Sequence, residues 1–595
     1  MKRPVPVVLA VVLILGLLLS ACAPTTSSAA TQPVASAEPT KAAEPVQPAE
    51  PAKPAEPTTA PVEPTAAPPA EAEGAGVMTI SKEQQSAWVR NFNPLLPNQS
   101  QRFPTRAGIY EPLYVYNVMT GEYVPWLSTE YQWSADATKL TMITREGVKW
   151  SDGEPFTARD VAYTFNLLKE HKEFDTQAVW GFLTDVKALD DKTVEFSLNR
   201  PYTPGFIDLA YQPIVPEHIW KDVADPVKFT NENPVATGPF TEINVFQNQV
   251  YELGRNPNYW QAGKPYIKAL RFPAYTSNDQ ANLALVNGEV DWAGNFIPDA
   301  DNTYVAKNAG NHYWFPAVGG VVFLYLNTQK APFDQADVRK AISQAINREQ
   351  IVKVAMYDYT HPSDVTGMSD SGNMWKDQAA LDAGDWTKFD VAKANEMLDA
   401  AGLKKGADGI RTLPDGTPLR YDLLVVTGWS DWVTTVEIMS RNLKEVGIDA
   451  PVKTMEFSAW FDAVKQGNYD MSIGWSTNIP MPFNVYRELM ATETVKDIGT
   501  EAAVNWHRYG NADADQLLDE LAAATDPAKQ KEIVNQLQRV FVENAPAIPL
   551  FPGPSWGEYN DNRFVDWPNQ DNPYAKLTPN DPPGELLVLT TVKPK

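Results

Sequence analysis

Apolar residues recur along the chain with two different spacings once the first 76 residues have passed. In the segment TARDVAYTFNLLKEH, Val161, Phe165 and Leu168 fall on one face at helical spacing, and Thr157 can cap the helix. Four shorter apolar runs predict buried strands: VVFLYLN, YDLLVVT, DMSIGW and AIPLF. Strands that alternate with helices predict an α/β fold, and the first third of the chain is more mixed.

Further helices are predicted in the second half of the chain, and some carry their own end signals. Asp390 opens DVAKANEMLDAAGL as a cap, Gly402 ends it, and Gly447 ends VEIMSRNLKEVGI. Three other segments have helical spacing: DVRKAISQAINREQIVKVAM, SAWFDAVKQGNYD and ADQLLDELAAA. This body of roughly five hundred residues is larger than one hydrophobic core usually supports, so we expect more than one domain.

The chain opens with the features of an export signal. Two basic residues precede an apolar run from Val5 to Leu19, and small residues follow it up to Cys22. Cys22 is the only cysteine of the protein, so it forms no intramolecular disulfide. Leu-Ser-Ala-Cys is similar to the lipobox of bacterial lipoproteins. This similarity implies that residues 1–22 are a lipoprotein signal and that lipidated Cys22 anchors the body at the outer face of the cell membrane; an ordinary signal peptide is the alternative.

Residues 23–76 consist mainly of Pro, Ala, Thr and Glu, as in EPVQPAEPAKPAEPTTAPVEPTAAPPAEAE. The segment has almost no large apolar side chains, so it cannot bury enough surface to offset the chain entropy lost on folding. Its regularly spaced prolines favour an extended, semi-rigid chain. We therefore expect a disordered tether between the membrane anchor and the body.

The charge of the protein limits the kinds of partner that it can bind. It carries 74 acidic and 50 basic residues, a formal net charge of -24. Nucleic-acid binding requires clustered Lys and Arg, and the sequence has no basic stripe. The composition therefore excludes a nucleic-acid partner.

Candidate catalytic and metal-binding residues are few. GPSWG, from Gly553 to Gly557, fits the G-x-S-x-G pattern around Ser555, but a poor helix and no histidine follow it. The five histidines are isolated, without the spacing or the partner cysteines of a metal site. We therefore predict no catalysis, no metal and no cofactor. Paired carboxylates for glycoside hydrolysis, such as Glu289 and Asp291, depend on pairing in space and stay open at this point.

Six segments follow one another in a fixed order: REGVKWSDGEPFTARDVAYTF, NPVATGPF, RNPNYWQAGKP, LVNGEVD, YLNTQKAPFDQADVRKAISQAINREQIV and RYGNADADQLLDELAAATDPAKQKEIVNQLQRVFVENAPAIPLF. In this order they resemble the family 5 solute-binding proteins of ABC importers, the extracytoplasmic receptors for oligopeptides, nickel chelates and oligosaccharides. The resemblance covers the chain from Gly76 to about Pro568. It also explains Glu289 and Asp291 as part of a landmark of the first lobe.

The resemblance implies a bilobal α/β clamp of the type II kind, with two hinge strands and an extra subdomain in lobe one. Lobe one would comprise residues 77–317 and 543–595, with the subdomain near 109–235. Lobe two would be residues 318–542. The ligand would lie between the lobes, which close on it, and an ABC permease would receive it. We expect a monomeric receptor.

Aromatic residues are the main candidates for ligand contacts. The sequence holds 18 tryptophans and 23 tyrosines, and several lie beside amides or acids at predicted strand ends, where open α/β sheets bind ligands. An indole ring suits the C–H face of a pyranose, while Asn and Asp bind its hydroxyls; for any single tryptophan, core packing is the alternative. The candidate ligand-binding residues are Trp88, Asn91, Trp292, Asn295, Trp429, Asp431, Trp432, Trp475 and Asn478.

The segment TGWSDWV, residues 427–433, joins a predicted strand to a predicted helix. Gly428 can let the backbone bend there, and the free amide groups at the helix start can bind a ligand oxygen. We expect Trp429 or Trp432 to stack on a sugar ring while the other tryptophan supports the loop. Asp431 would accept hydrogen bonds from hydroxyls.

One difference within the resemblance separates peptides from sugars. Peptide-binding members commonly carry an aspartate shortly after the Gly-Trp of one strand, where it pairs with the peptide amine. In GWSTNIPMPFNVYRELM no acidic residue lies between Trp475 and Arg487, and burying an unpaired ammonium is costly. This segment, together with GWSDW and DWAGNFIP, resembles the branch that binds cellobiose and other β-oligosaccharides.

These observations predict the lipid-anchored binding subunit of an ABC importer, with a short, β-linked oligosaccharide as ligand. An oligopeptide receptor, with Asp431 in place of the missing amine anchor, is the main alternative. An extracellular hydrolase and a wall-attached structural protein are the alternatives from other classes.

Overall fold

The computed structural model describes residues 76–82, 84–85, 87–96, 105–477, 481–524 and 526–595. The predicted signal, Cys22 and the tether up to residue 75 lie outside these residues, and so does Asn478. Among the described residues, no helix combines the length and the apolar character needed to cross a membrane. The described body has the predicted bilobal α/β fold, in which each lobe is built around its own sheet.

The strands are short, and most lie in three sheets. In chain order they are β1 (Val77–Ser81), β2 (Tyr114–Asn117), β3 (Glu122–Pro125), β4 (Ser128–Trp133), β5 (Lys139–Thr144), β6 (Leu183–Ala188), β7 (Thr193–Leu198), β8 (Phe240–Gln247), β9 (Val250–Arg255), β10 (Ala269–Pro273), β11 (Trp292–Ala293), β12 (Asn311–Tyr313), β13 (Val321–Leu326), β14 (Lys404–Lys405), β15 (Arg411–Thr412), β16 (Leu423–Val426), β17 (Val452–Met455), β18 (Met471–Trp475), β19 (Ile548–Pro552), β20 (Glu558–Asn560), β21 (Phe564–Val565) and β22 (Lys593–Pro594).

The α-helices are concentrated in lobe two, and short 3-10 turns occur between some of them. They are α1 (Ala158–Glu170), α2 (Phe206–Ala210), α3 (Glu217–Trp220), α4 (Asn278–Val286), α5 (Ala300–Thr303), α6 (Ala336–Ala345), α7 (Arg348–Val354), α8 (Gln378–Ala383), α9 (Val391–Ala400), α10 (Ser430–Glu445), α11 (Phe457–Gln466), α12 (Pro482–Met490), α13 (Ala512–Ala523), α14 (Pro527–Asn544) and α15 (Glu585–Leu589).

Lobe one is built on a seven-stranded sheet with the order β12-β20-β11-β1-β10-β9-β8. Strand β1 runs parallel to both β10 and β11, so Val77 lies opposite Ala269 and Ile80 opposite Trp292. Strand β20 pairs antiparallel with β11 and β12. Because β20 comes from the C-terminal part of the chain, two separate stretches of sequence build this lobe.

Lobe two is built on a five-stranded sheet with the order β17-β16-β18-β13-β19. Its strands β13, β16 and β19 are buried along their whole length, as their apolar runs predict. Strand β16 runs parallel to β17 and β18, whereas β13 is antiparallel to β18 and β19. The C-terminal ends of β16 and β18 therefore meet at the same edge of the sheet.

A third sheet, with the antiparallel order β4-β5-β7-β6, falls within the predicted subdomain of lobe one. Helix α1 packs on its strands β6 and β7. The helix begins with a capping box, because Thr157 Oγ1 accepts from Arg159 N at 3.2 Å and Asp160 accepts from Thr157 N at 2.9 Å. The cap predicted at Thr157 is confirmed.

The segment DVRKAISQAINREQIVKVAM forms two helices rather than one, α6 and α7. The break falls at Ile346 and Asn347, where the Asn347 side chain accepts from Gln350 N at 3.0 Å and caps α7. Arg348 stabilises this corner, since its buried guanidinium donates to Ser343 O at 3.0 Å and to Pro549 O in β19 at 2.7 Å.

The chain crosses between the lobes twice, and the two crossings are bonded to each other. Gly319 N donates to Gly553 O, and Gly553 N donates to Gly320 O, both at 3.0 Å. The predicted return to lobe one at residue 543 is too early: α14 packs on α12 and α13, and β19 pairs with β13 in the lobe-two sheet. The chain returns to lobe one after Pro552, because the pairing of β19 assigns it to lobe two.

The lobes also contact each other away from the crossings. The rings of Tyr202 in the subdomain and Phe483 in α12 lie edge to face, 5.4 Å apart. Thr203 Oγ1 donates to Ala522 O of lobe two at 3.3 Å. Nearer the crossings, the Tyr359 hydroxyl of lobe two donates to Ile297 O of lobe one at 3.1 Å. The two lobes are therefore in direct contact both near the crossings and away from them.

We expect Gly320→Ala to lower the free energy of unfolding by about 1–3 kcal/mol, because the added methyl overpacks the crossing. A Cβ on Gly320 would lie 2.7 Å from Thr477 O and closer still to Ser476 O. Gly181→Ala is the matched control, since nothing lies within 4 Å of its Cβ position. Urea unfolding measures the free energy of unfolding of both variants. If Gly320→Ala is as stable as the control, the crossing is not tightly packed at Gly320.

Candidate ligand-binding site

Seven aromatic side chains of lobe two form one contiguous cluster at the edge of its sheet. The ring centroids of Trp429 and Trp432 are 5.0 Å apart, and Trp475 lies 5.2 Å from Trp460 and 5.3 Å from Trp506. Phenylalanines of α11 extend the contacts. We call this group the aromatic cluster; its members are Trp429, Trp432, Phe457, Trp460, Phe461, Trp475 and Trp506.

The aromatic cluster has an inner and an outer layer. Trp460 is fully buried, and its indole N–H donates to Ser472 Oγ at 3.0 Å. Trp432 and Trp506 are each only 7% exposed. The other four rings are half-buried: Trp429, Phe457, Phe461 and Trp475. The inner rings therefore pack as core, while the outer rings keep part of their surface available to a ligand.

The parallel strands β16 and β18 explain why these rings meet. Trp475 is the last residue of β18, and Trp429 follows β16 by three residues. Because the two strands run in the same direction, their ends lie side by side, and the two rings are 6.2 Å apart. Open α/β sheets bind ligands at this end of their strands.

The turn TGWSDWV faces lobe one. Gly428 has a φ of 85°, the left-handed region in which glycine is favoured. A Cβ at this position would lie 3.7 Å from both Thr276 O and Ser277 Cβ of lobe one. Asn278 at the start of α4 donates to Ser430 Oγ at 3.4 Å. The aromatic cluster is therefore placed beside the contact between the lobes.

Asp431 lies in the first turn of α10, next to the two tryptophans of the turn. Its residue is 6% exposed. Burial raises the pKa of its carboxyl to about 6, and the backbone amides of Trp432 and Asp431 at the helix start act in the opposite direction. The site thus contains a buried carboxyl group that ionises less readily than an exposed aspartate.

The two tryptophans predicted in lobe one have packing contacts. Trp292 in β11 is fully buried, its ring centroid is 5.8 Å from that of Trp567, and its indole N–H donates to Leu577 O. Trp88 is 5% exposed and meets Tyr251 edge to face at 5.2 Å. Both side chains belong to the core of lobe one in this structure, and a ligand contact for either stays a prediction.

The two asparagines predicted in lobe one organise the local backbone. Asn91 Oδ1 accepts from Asn93 N at 3.0 Å. Asn295, 1% exposed, accepts from Ser81 Oγ and Gln84 Nε2 at 3.2 Å each. The two bonds of Asn295 connect the ends of β1 and β11, and a ligand role for Asn91 or Asn295 stays a prediction.

The structure brings four of the predicted residues together, namely Trp429, Asp431, Trp432 and Trp475. Asn478, predicted beside them, lies outside the described residues. Sequence reasoning missed the other four rings of the aromatic cluster. A signal for three of them existed, because Phe457, Trp460 and Phe461 have the spacing of one helix face.

Sequence reasoning also passed over a carboxyl group near the end of β18. Glu488 in α12 accepts from Thr477 N at 2.9 Å, and Thr477 follows Trp475 by two residues. Burial raises the pKa of Glu488 to about 8, although the Thr477 amide and Arg487 lower it. Because α12 folds back on the strand end, an acid that is distant in sequence becomes its neighbour.

The catalytic and metal candidates have no supporting geometry. Ser555 is 7% exposed at the crossing, its amide donates to Pro316 O at 2.9 Å, and strand β20 rather than a helix follows it. It therefore lacks the strand-to-helix turn of a nucleophile elbow. Within the described part of the chain, no three His, Cys, Asp or Glu side chains are grouped to hold a metal ion.

This two-lobed architecture, with an aromatic site beside the contact between the lobes, defines a receptor of the periplasmic-binding-protein type. The chain belongs to the bacterial extracellular solute-binding proteins, family 5, whose model matches residues 122–497. It is therefore the substrate-binding subunit of an ABC importer, which binds a small ligand and delivers it to a permease. The family consists of extracytoplasmic solute-binding proteins.

Two relatives illustrate the range of the family. The nickel-binding periplasmic protein of Escherichia coli (strain K12) is 26% identical over 523 residues, which cover 84% of this chain and 93% of that protein. The oligopeptide-binding protein OppA of Bacillus subtilis (strain 168) is 25% identical over 456 residues, 72% of this chain and 80% of that protein.

Solved structures confirm the fold. A periplasmic oligopeptide-binding protein of Thermotoga maritima, solved with bound mannohexaose, has a TM-score of 0.80 at 25% identity and covers 88% of this chain and 99% of its own. The oligopeptide-binding protein AppA of Bacillus subtilis, solved with a nonapeptide, has a TM-score of 0.74 at 19% identity, with 87% and 99% covered. The second similarity concerns the fold alone.

We expect Asp431→Asn to raise the melting temperature relative to the wild type at pH 7.5 and to leave it nearly unchanged at pH 4. An unfolded aspartate has a pKa of about 3.9, whereas burial raises that of Asp431 to about 6. Its contribution to stability is therefore most favourable below about pH 4 and is lost as the pH rises through about 6.

Melting curves of the wild type and two variants at both pH values measure this effect. Asp462→Asn is the control, since Asp462 is exposed on the neighbouring helix α11. If Asp431→Asn changes the melting temperature equally at both pH values, burial does not raise the pKa of the Asp431 carboxyl.

Proposed function

We propose that this binding subunit captures a short, β-linked oligosaccharide between its lobes and has no catalytic activity of its own. The observation that carries the proposal is the aromatic cluster, in which four half-buried rings rest on three buried ones. A lipid anchor at Cys22 on the outer face of the cell membrane and a monomeric state belong to the same proposal.

The chemistry of a sugar ring matches the outer layer of the aromatic cluster. A pyranose has a flat C–H face that stacks on an aromatic ring, and its edge carries hydroxyl groups. Trp429 and Trp475 have their ring planes inclined by 39°, so one ligand unit can rest on one ring and touch the other. The buried Trp460 fixes both rings, which lie 6.4 and 5.2 Å from it.

Polar groups around the turn match the hydroxyl edge of a sugar. Across from the turn, Ser277 and Asn278 of lobe one are neutral hydrogen-bonding side chains. Asp431 supplies a carboxyl group beside the rings. Neutral donors and acceptors with few charges suit a ligand that is polar but uncharged.

The comparison with the Thermotoga maritima protein supports an oligosaccharide ligand. That protein was solved with bound mannohexaose, and it shares the fold of this chain along nearly its whole length. We propose a β-linked sugar because three segments resemble the branch that binds β-oligosaccharides: GWSDW, DWAGNFIP and GWSTNIPMPF.

We expect Trp429→Ala and Trp475→Ala each to weaken binding of cello-oligosaccharides by roughly ten- to a hundredfold, because a stacking platform contributes on the order of 1–3 kcal/mol. Titration calorimetry with cellobiose to cellohexaose measures the loss. Trp180→Ala is the matched control, since Trp180 is half-buried in the subdomain beneath Lys169. If these variants have a lower melting temperature but bind the sugars with wild-type affinity, the aromatic cluster is not the ligand-binding site.

Glu488 favours a second candidate function, an oligopeptide receptor. Its carboxyl lies at the end of β18, bonded to Thr477 N at 2.9 Å, where peptide-binding members of the resembled family carry their amine anchor nearby in sequence. A bound ammonium would stabilise the ionised carboxylate and lower its raised pKa. Asp431, whose neighbour Trp432 contacts Trp475, offers the same chemistry.

Glu488→Gln separates the two functions. Glutamine keeps the size of the side chain and its acceptor for Thr477 N, so an oligosaccharide receptor should change its affinity by less than about threefold. A peptide receptor should lose a hundredfold or more, because removing one partner of a buried ion pair costs about 3–5 kcal/mol. Titration calorimetry with cello-oligosaccharides and with di- to pentapeptides measures the affinity for each class of ligand. Asp431→Asn is measured in the same way, to test the second carboxyl group.

A further inference from the structure

A cavity of about 90 Å³ lies within lobe one, between the subdomain and the C-terminal end of the chain. Pro582 and Pro583 line one side of it, and Thr176 and Gln177 also belong to its lining. Gln177 is exposed and Thr176 is half-buried, so the cavity opens to solvent beside them. A buried water needs roughly 10–15 Å³ on this measure, so the cavity has space for a ligand of about six non-hydrogen atoms. We call it the lobe-one pocket.

The C-terminal wall of the lobe-one pocket is fixed in place and internally neutral. Lys576, whose side chain is 4% exposed, forms an ion pair of 2.6 Å with Asp581, directly before the two prolines. Glu585 N donates to Asp581 O at 3.0 Å. The charged side chains among the described lining residues therefore come from the other walls, and they are Arg106 and Asp208.

Arg106 and Asp208 carry opposite charges and do not neutralise each other. Arg106 Nε donates to Pro94 O at 3.2 Å, and within the described part of the chain its two Nη atoms have no hydrogen-bond or ion-pair partner. The carboxyl of Asp208, in α2, also has no such partner among the described residues. The lobe-one pocket therefore presents one unpaired donor group and one unpaired acceptor group.

Burial disfavours both of these charges. Burial alone lowers the pKa of Arg106 to about 10, so its guanidinium is charged at neutral pH. Burial raises the pKa of Asp208 to about 7; Arg487 of lobe two offsets part of this effect, and Asp175 adds to it. An anionic group beside Arg106 and a cationic group beside Asp208 would each compensate a charge that the fold leaves without a close partner.

The uncharged part of the lining suits a short ligand with a small apolar body. Ile207, Pro112 and Pro213 line the lobe-one pocket together with the two prolines of the C-terminal wall. Such side chains can pack against methylene groups but cannot bind a polar group of the ligand. The lining thus combines two charged groups of opposite sign with apolar surface for a few carbon atoms.

We propose that the lobe-one pocket binds a small zwitterion of amino-acid size, with its carboxylate on Arg106 and its ammonium group on Asp208. A ligand with a single charge would leave one of the two protein charges without a partner, so the pocket selects zwitterions over simple anions and cations. All described lining residues belong to lobe one. The site is therefore separate from the aromatic cluster of lobe two, and the inference does not depend on the proposed sugar ligand.

Titration calorimetry of the purified full-length protein tests this site with glycine, β-alanine and γ-aminobutyrate. Propionate and ethylamine are the single-charge probes, because each keeps only one end of β-alanine. At least one zwitterion should bind the wild type at least tenfold more tightly than either single-charge probe. If none of the three binds, or if the single-charge probes bind equally well, the inference is wrong.

Two variants locate the binding groups. Asp208→Asn should weaken zwitterion binding at least tenfold, the effect of one lost charge-assisted hydrogen bond, and leave propionate binding unchanged. Arg106→Gln should weaken zwitterion binding to the same extent and leave ethylamine binding unchanged. Asp185→Asn is the matched control, since Asp185 is exposed on β6 of the same subdomain. Zwitterion binding that survives both pocket substitutions overturns the assignment.

Glu488→Gln separates the lobe-one pocket from the cleft. An amino acid that binds between the lobes, as a peptide receptor could bind it, should lose affinity in this variant, whereas binding in the lobe-one pocket should not change. If Glu488→Gln weakens zwitterion binding and Asp208→Asn does not, the zwitterion occupies the cleft and the inference is wrong. Binding of cello-oligosaccharides by the wild type is measured independently, so either proposal can fail without the other.

Discussion

The close backbone approach at the double crossing is the constraint on which the rest of the structure depends. A Cβ on Gly319 would lie 2.7 Å from Gly553 O, and one on Gly553 would lie 2.6 Å from Gly320 O. Because the crossings bond to each other and continue directly into β13 and β19, lobe two must move with its sheet as one body. The hinge thereby sets where the edge of that sheet, and the rings on it, face lobe one.

The aromatic cluster combines two requirements that usually conflict. A ligand platform must expose its rings, yet it must hold them in one orientation to avoid losing binding energy to their motion. Buried Trp460 and nearly buried Trp432 meet the second requirement, since core tryptophans contribute about 3–5 kcal/mol and resist rearrangement. Half-buried Trp429 and Trp475 meet the first one. The stability of lobe two and the geometry of the site thus have the same origin.

The sequence predicts those parts of the molecule that local pattern determines. Apolar runs identify β13, β16, β18 and β19, and Thr157 marks the start of α1, because burial of a strand and capping of a helix leave a signal within a few residues. No such local signal shows to which lobe β19 belongs, or whether Trp292 is buried or exposed. Trp292 is buried and its indole donates to Leu577 O, 285 positions away, whereas Trp475, also at a strand end, keeps part of its surface exposed.

Glu488 shows why the class of ligand is harder to predict than the class of protein. The absence of an acid after Gly474-Trp475 argues against a peptide amine, but the fold returns Glu488 to that strand end. Ionising a carboxyl with a pKa of about 8 at pH 7 costs about 1.4 kcal/mol, which a paired ammonium can offset. The carboxyl group is therefore compatible with either ligand. The four half-buried rings remain the feature that supports the proposed sugar ligand, because the partly exposed face of an aromatic ring suits the C–H face of a pyranose.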